Sequence, residues 1–361
     1  MIRRKAQNAV KDWIDNGKDA FLITGARQIG KTYLIRQCLK ESGIPYIELN
    51  FIEQPELVEL FQGAKDVKEI LMRLSLVVKE PLKKGKTILF LDEIQEFKDI
   101  VTRIKFLVEE GSFRYIMSGS LLGVELNDLR SAPVGYMRIY DMYPLDFKEF
   151  AQAAGVHDGT FEQLYTHFKE RTPVDEFVHA KMLDVFYLYL IIGGMPEAVS
   201  TYIETNDLAQ VAQVHNKIIR LYKKDFSKYE HRYKLKLQEI YDAMPGQLDQ
   251  KNKRFQLNSL GKGISYDRVA NDFLWLKDAG VAIPVYNISE PKSPLIISEN
   301  RNLFKLFFSD VGLLTSCYSN QVKVAILNKD KSINNGALFE NAVAQELLSK
   351  GHKVYYFNSK K

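Results

Sequence analysis

Gly25-Ala26-Arg27-Gln28-Ile29-Gly30-Lys31-Thr32 fills every fixed position of the pattern G-x-x-x-x-G-K-[ST], a loop whose backbone amides wrap phosphate oxygens. Such a match arises by chance in roughly one or two chains of this length per hundred, so the flanking sequence has to decide it. Before the loop, Ala20-Phe21-Leu22-Ile23-Thr24 is a short apolar run of the kind that forms a buried parallel strand. After it, Leu34, Ile35, Cys38 and Leu39 recur at the spacing of one buried helical face, and Ser42-Gly43 supplies a stop. The loop therefore opens a helix at its N-terminus, where free N–H groups and the helix dipole attract anions. An α/β fold with a parallel sheet and helices on both faces follows.

Within the loop, Gly25 and Gly30 lack a Cβ and are free to take left-handed angles and let phosphate oxygens approach the main chain. Ala26, Arg27, Gln28 and Ile29 supply the intervening amides, and Tyr33 follows directly, so Gly25 to Tyr33 is the candidate nucleotide cradle. Lys31 is expected against the β and γ phosphates of ATP, and the Thr32 hydroxyl on Mg²⁺. The bland alternative is an ordinary glycine turn between strand and helix.

A second apolar run, Thr87-Ile88-Leu89-Phe90-Leu91, ends in Asp92-Glu93. A buried central strand delivers acids in this way to the C-terminal edge of a parallel sheet. Asp92 is the candidate Mg²⁺ partner through water, and Glu93 the candidate base that orients an attacking water. The expectation is that this strand and the loop strand are neighbours. A third strand, Phe113 to Ser118, ends in Ser118-Gly119-Ser120. Ser118 is the first choice for a hydroxyl on the γ-phosphate or the water, Ser120 the reserve, and a plain polar turn the equal alternative.

Taken together, GARQIGKT, LFLDEIQEF, YIMSGSLLGV and MYPLDFKEF resemble a family of prokaryotic AAA-superfamily ATP-binding proteins. The likeness extends through Tyr189-Leu190-Ile191-Ile192-Gly193-Gly194-Met195-Pro196-Glu197, Tyr222 to Tyr229 and Asp310-Val311-Gly312-Leu313-Leu314. It implies a P-loop NTPase core, packed helices after it, a winged helix and a C-terminal domain similar to restriction-type nucleases. The family roles fall on Lys31, Thr32, Asp92, Glu93 and Ser118. The sequence departs from the family at the arginine finger, where many relatives have a Gly-Arg pair and this chain has Val134-Gly135-Tyr136-Met137-Arg138. Arg130 and Arg138 are the remaining candidates, each equally readable as a surface charge.

Length and composition set the frame. At 361 residues the chain exceeds one core, and four segments are expected. Residues 1–150 form the ATPase core, 151–231 a helical lid, 232–310 a winged helix, and 311–361 the start of a nuclease-like domain, incomplete. A net charge of +5 permits nucleic-acid contact without arguing for it. Two distant cysteines, no signal peptide and no apolar run long enough for a bilayer indicate a cytoplasmic protein with no membrane partner. Scattered histidines give no zinc spacing.

Residues 145–227 read as helices, with Phe147, Phe150, Phe161, Leu164, Phe168, Phe177, Leu183 and Phe186 on buried faces. Gly193-Gly194-Met195-Pro196 turns the chain between helices. Helices at 236–244, 256–261 and 266–278, then strands at 281–288 and 295–298, make a winged helix-turn-helix. Arg268, Asn271 and Lys277 face outward on its third helix and Lys292 lies in the wing. Asp267, Asp272 and Asp278 oppose a phosphate surface, so DNA contact and protein packing both stand. A last helix from Asn335 and a strand at 353–358 resemble the opening of the nuclease domain, with Glu340 as a helix-borne acid. Without further acids no nuclease activity is expected, and the abrupt end suggests a truncated gene or part of a longer protein.

The functional expectation is an ATPase that uses ATP and Mg²⁺ to drive a conformational switch, with DNA or a protein as partner and the oligomeric state open. A nucleotide-dependent binding module with little turnover is the alternative. A small-molecule kinase comes third.

Overall fold

The computed structural model describes residues 2–78, 82–97, 99–120, 135–226, 231–261 and 263–358. Arg130, Val134 and Ser227-Lys228-Tyr229 lie outside the described residues. The chain divides into two compact units, an N-terminal one of residues 4–142 and a C-terminal one of residues 143–361 together with 1–3.

The N-terminal unit runs α1 (Ala6–Asn16), β1 (Ala20–Thr24), α2 (Lys31–Ser42), β2 (Tyr46–Asn50), α3 (Val58–Phe61), α4 (Val67–Val77), β3 (Ile88–Asp92), α5 (Asp99–Glu110), β4 (Arg114–Gly119) and β5 (Met137–Asp141). The strands form one sheet in the order β2-β3-β4-β1-β5, every pair parallel. The period of two along each strand divides its side chains between two layers. Ala20 and Leu22 share a core with Leu89, Leu91, Tyr115, Met117 and the inner faces of α3, α4 and α5. Phe21 points the other way and stacks on Trp13 of α1 at 6.0 Å. Helices on both faces follow from this alternation.

The expected adjacency of β1 and β3 is corrected by the strand order, because β4 lies between them. A parallel pair needs a crossover connection, and sequence spacing alone does not say which later strand that crossover passes over. The inserted strand is what carries Ser118 into the middle of the sheet edge. Strand β2 has a weaker sequence signal because Glu48 interrupts its apolar run. In the fold Glu48 receives Arg36 of α2 at 2.5 Å, so the charge is paired.

The C-terminal unit runs α6 (Phe147–Ala153), α7 (Asp158–Glu170), α8 (Glu176–Ile192), α9 (Pro196–Thr205), α10 (Leu208–Phe226), α11 (His231–Leu248), α12 (Tyr266–Asp278), β6 (Ala282–Ile288), β7 (Glu299–Phe308), α13 (Val311–Ser316), α14 (Asn320–Leu327), α15 (Gly336–Ser349) and β8 (Tyr355–Phe357). Strand β6 pairs antiparallel with β7 and parallel with β8. Among the described residues no helix is long and apolar enough to cross a membrane.

Four expectations in this unit need correction. Helix α7 has no buried residue, and Phe168 and Phe177 are 79% and 70% exposed, since apolar spacing marks a face without providing a neighbour for it. Residues 295–298 form a 3-10 turn rather than a strand, and the return strand begins at Glu299. Asp272 is turned inward on α12 beside Val269, Phe273 and Leu276, with Lys236 Nζ at 3.7 Å. Glu340, expected as a metal-site acid, is instead ion-paired with Lys305 at 2.5 Å and Lys253 at 3.3 Å.

Three of the family-like segments converge on one buried acid. Asp310, fully buried, caps α13 by accepting the Leu313 N–H and also takes the Gly194 N–H at 2.5 Å. Gly193 has φ +71° there, and a Cβ on it would collide with the Asp310 carboxylate. The Gly194 carbonyl accepts the Leu145 N–H at 2.7 Å, and Gln345 donates to both Tyr189 Oη and Asp310. Burial raises the Asp310 pKa from 3.8 to about 6, although its N–H donors pull the other way. A carboxyl that binds its proton more tightly folded than unfolded adds stability at low pH and loses it as pH rises from 3.8 through 6.

Measured against Asp310→Asn, the wild-type stability is therefore expected to fall by up to roughly 3 kcal/mol between pH 4 and pH 7. Denaturant melts of both proteins across that range check it. A pH-independent difference would remove the titration from Asp310.

Candidate functional site

The loop between β1 and α2 depends on backbone angles that most residues avoid. Gly25 has φ +142°, Gly30 +87° and Gln28 +66°. A Cβ on Gly25 would collide with the Met142 carbonyl and the Ile29 side chain, so the chain's own packing already requires glycine there. Ala26 and Ile29 are buried and pin the loop from below. Arg4, 8% exposed, donates from Nη1 to the Ile29 carbonyl at 3.1 Å. Arg27 is partly buried, Gln28 exposed, and Tyr33 lies 61% exposed in the first turn of α2.

Lys31 is buried under this loop. Its Nζ donates to the carbonyls of Gly25 at 3.0 Å and Ala26 at 2.8 Å. Burial lowers its pKa from 10.5 to about 8, while the charges of Glu93 and Asp92 raise it. The ammonium is thus presented at the α2 N-terminus with ligands that a phosphate oxygen can replace.

The carboxylate of Asp92, at the end of β3, is 1% exposed and is reached from three other elements. Thr32 Oγ1 of α2 donates to it at 3.0 Å, Asn50 Nδ2 of β2 at 3.0 Å, and Ser118 Oγ of β4 also donates. Burial pushes its pKa up, opposed by the Ser118 and Thr32 hydrogen bonds, with the neighbouring Glu93 adding to the rise. Glu93 itself has φ +57°, a left-handed angle that turns its side chain off the strand line. Its Oε2 accepts Gln95 Nε2 at 2.6 Å. Ser120 is buried two residues beyond Ser118, and its N–H donates to Gln95 Oε1 at 3.1 Å.

The structure brings Lys31, Thr32, Asp92, Glu93 and Ser118 to one edge of the sheet. Arg138 is elsewhere, on β5, paired with Asp19 at 3.3 Å and Asp12 at 3.5 Å. Sequence reasoning missed Arg4, Asn50 and Gln95. For Asn50 a signal existed, since a polar residue closes a strand paired in register with β3, Asn50 opposite Asp92. Arg4 and Gln95 touch partners that no periodicity links to them.

Asn50 also accepts the N–H groups of Ile52 and Glu53, at 2.9 and 3.0 Å. Asn50→Leu would remove the acceptor of those two N–H groups and leave Asp92 Oδ2 with Thr32 Oγ1 alone, at 3.1 Å, an expected loss of roughly 1–3 kcal/mol in urea-melt stability. A change under 0.5 kcal/mol would contradict the geometry.

Comparisons with known proteins agree with this architecture. The family described as "AAA domain" matches residues 17–151, and a domain of unknown function (DUF8612) matches residues 183–323. No curated protein matches the chain. Among solved structures, the chain is similar to the Walker-type ATPase PABY2304 of Pyrococcus abyssi, with 14% identity over 88% of this chain and 95% of that one and a TM-score of 0.50. Lower scores relate it to AMPPCP-bound DnaA from Aquifex aeolicus, at 14% identity over 70% and 76% of the two chains and a TM-score of 0.32. They also relate it to Drosophila ORC bound to DNA, at 13% identity over 91% and 94% and a TM-score of 0.34. The first likeness, at 14% identity, speaks for the fold alone, and nothing is built on the two lower-scoring ones. With the phosphate loop, the acid-bearing strand and the family match on one stretch, residues 17–151 form an AAA domain with a P-loop α/β fold.

Proposed function

We propose that this chain binds ATP with Mg²⁺, hydrolyses it slowly, and uses the cycle as a conformational switch. The observation that supports the reading best is the meeting of Thr32, Asn50 and Ser118 on the Asp92 carboxylate, with Glu93 beside it and Lys31 under the loop. Thr32 Oγ1 and the Asp92 oxygens are hard donors 3.0 Å apart, chemistry that suits a small divalent cation holding several waters. Such a cation would neutralise charge on the β and γ phosphates.

The rest is the work of the chain's own groups. Amides of Ala26 to Ile29 and Gly30 bind phosphate oxygens at the α2 N-terminus. Lys31 exchanges its two carbonyl partners for phosphate oxygens, and Tyr33 stands open beside them. Glu93 accepts the proton of a water as that water's oxygen bonds to the γ-phosphorus and the bond to the β-phosphate oxygen breaks. Ser118 turns its single O–H from Asp92 to the γ-phosphate, with Ser120 held in reserve. Slow basal turnover is favoured by the absence of the family's Gly-Arg pair from residues 134–138, where Arg138 is half-exposed and pairs with Asp12 and Asp19.

Lys31→Ala is expected to abolish ATP binding in calorimetry. Glu93→Gln should retain binding and lose about 100-fold or more in turnover. Wild-type turnover in the Glu93 variant would end its role as base.

A DNA partner is supported by one feature of the C-terminal unit. Helix α12 exposes Arg268, Asn271 and Lys277 while Asp272 is turned inward, so its outer face is more basic than its sequence suggests. With the β6–β7 hairpin after it, we read this as a winged helix. Charge reversal at Arg268 and Lys277 should weaken duplex binding and flatten its salt dependence. Absence of any duplex binding by the wild type at low salt would leave a protein partner in its place.

A further inference from the structure

Both ends of the Gln95 side-chain amide are in use. Nε2 donates to Glu93 Oε2 at 2.6 Å, and Oε1 accepts the Ser120 N–H at 3.1 Å. We propose that Gln95 is a positioning residue that fixes the Glu93 carboxylate against the end of β4, an inference that rests on the reading of Glu93 as the base. A free glutamate at a strand end has three rotatable bonds and loses rotamer freedom when ordered. Anchoring Oε2 makes that ordering part of the fold and leaves Oε1 to accept from a water.

The anchor is itself rigid. A planar amide sets the separation between its donor and its acceptor, and the far end is held by a backbone N–H, which has no rotor of its own. That N–H belongs to the residue two places after Ser118, whose hydroxyl is on Asp92. The base is thereby indexed to the same strand end as the candidate γ-phosphate contact. Nor does the turn need the side chain to close, because Glu96 N–H already donates to the Glu93 carbonyl at 3.1 Å and Phe97 N–H to that of Ile94 at 3.0 Å.

Gln95→Met keeps the length of the side chain and removes both hydrogen bonds. Its ATPase kcat should fall about tenfold, since a base misplaced by a fraction of an ångström loses at least that much. KM and ATP affinity should stay within about twofold, because the two Gln95 hydrogen bonds reach Glu93 and the Ser120 main chain and neither reaches the loop from Gly25 to Tyr33. Added to Glu93→Gln, the Met substitution should cost nothing further in single-turnover rate, as expected for two residues acting as one unit. Unchanged kcat in Gln95→Met, a KM that rises in step, or an equal loss in both backgrounds would overturn the positioning role. Full turnover in Glu93→Gln alone would instead overturn the base assignment, so the two failures are distinguishable.

Discussion

The dominant constraint in the N-terminal unit is the burial of one carboxylate. Asp92 is 1% exposed, and taking a carboxylate from water costs several kcal/mol unless donors replace its hydration. The donors come from α2, β2 and β4, three elements on different sides of β3. With β4 between β1 and β3, and β2 on the far side, the sheet supplies all three at once. Strand order, loop position and acid are therefore one arrangement.

The C-terminal unit uses the same device for another purpose. Asp310 is also fully buried, and it gathers N–H donors from its own helix cap and from the glycine turn after α8. Gly193 and Gly312 are glycines because a Cβ on either would intrude on this junction. The family-like segments at 189–197 and 310–314 thus owe their composition to close packing. The phosphate loop owes its first glycine to packing too, since Met142 fills the space beside Gly25.

Much of this was legible in the sequence, and the reasons differ by element. Helix α2 and strands β1 and β3 were readable because burial period and end signals are local. Helix α12 was found at its observed bounds for the same reason. Strand β2 was hidden by Glu48, whose partner Arg36 is on a different element. The aromatic residues of α7 and α8 showed the opposite failure, where a regular apolar spacing promised burial that Phe168 and Phe177 do not have. In the site itself, groups on the loop and the acid strand were recognisable by type and spacing, whereas Asn50, Gln95 and Arg4 matter only through contacts.

The sequence by itself determined the local chemistry: a left-handed glycine loop before a helix, a lysine and hydroxyl at that helix's start, and two acids at the end of an apolar strand. These are properties of short windows, fixed by backbone sterics and side-chain type. Tertiary structure alone decided which strand stands between loop and acids, which side chains satisfy the buried carboxylates, and which charges point outward on α12. Those outcomes depend on crossover topology and on pairing between residues far apart in the chain, and no local period encodes either.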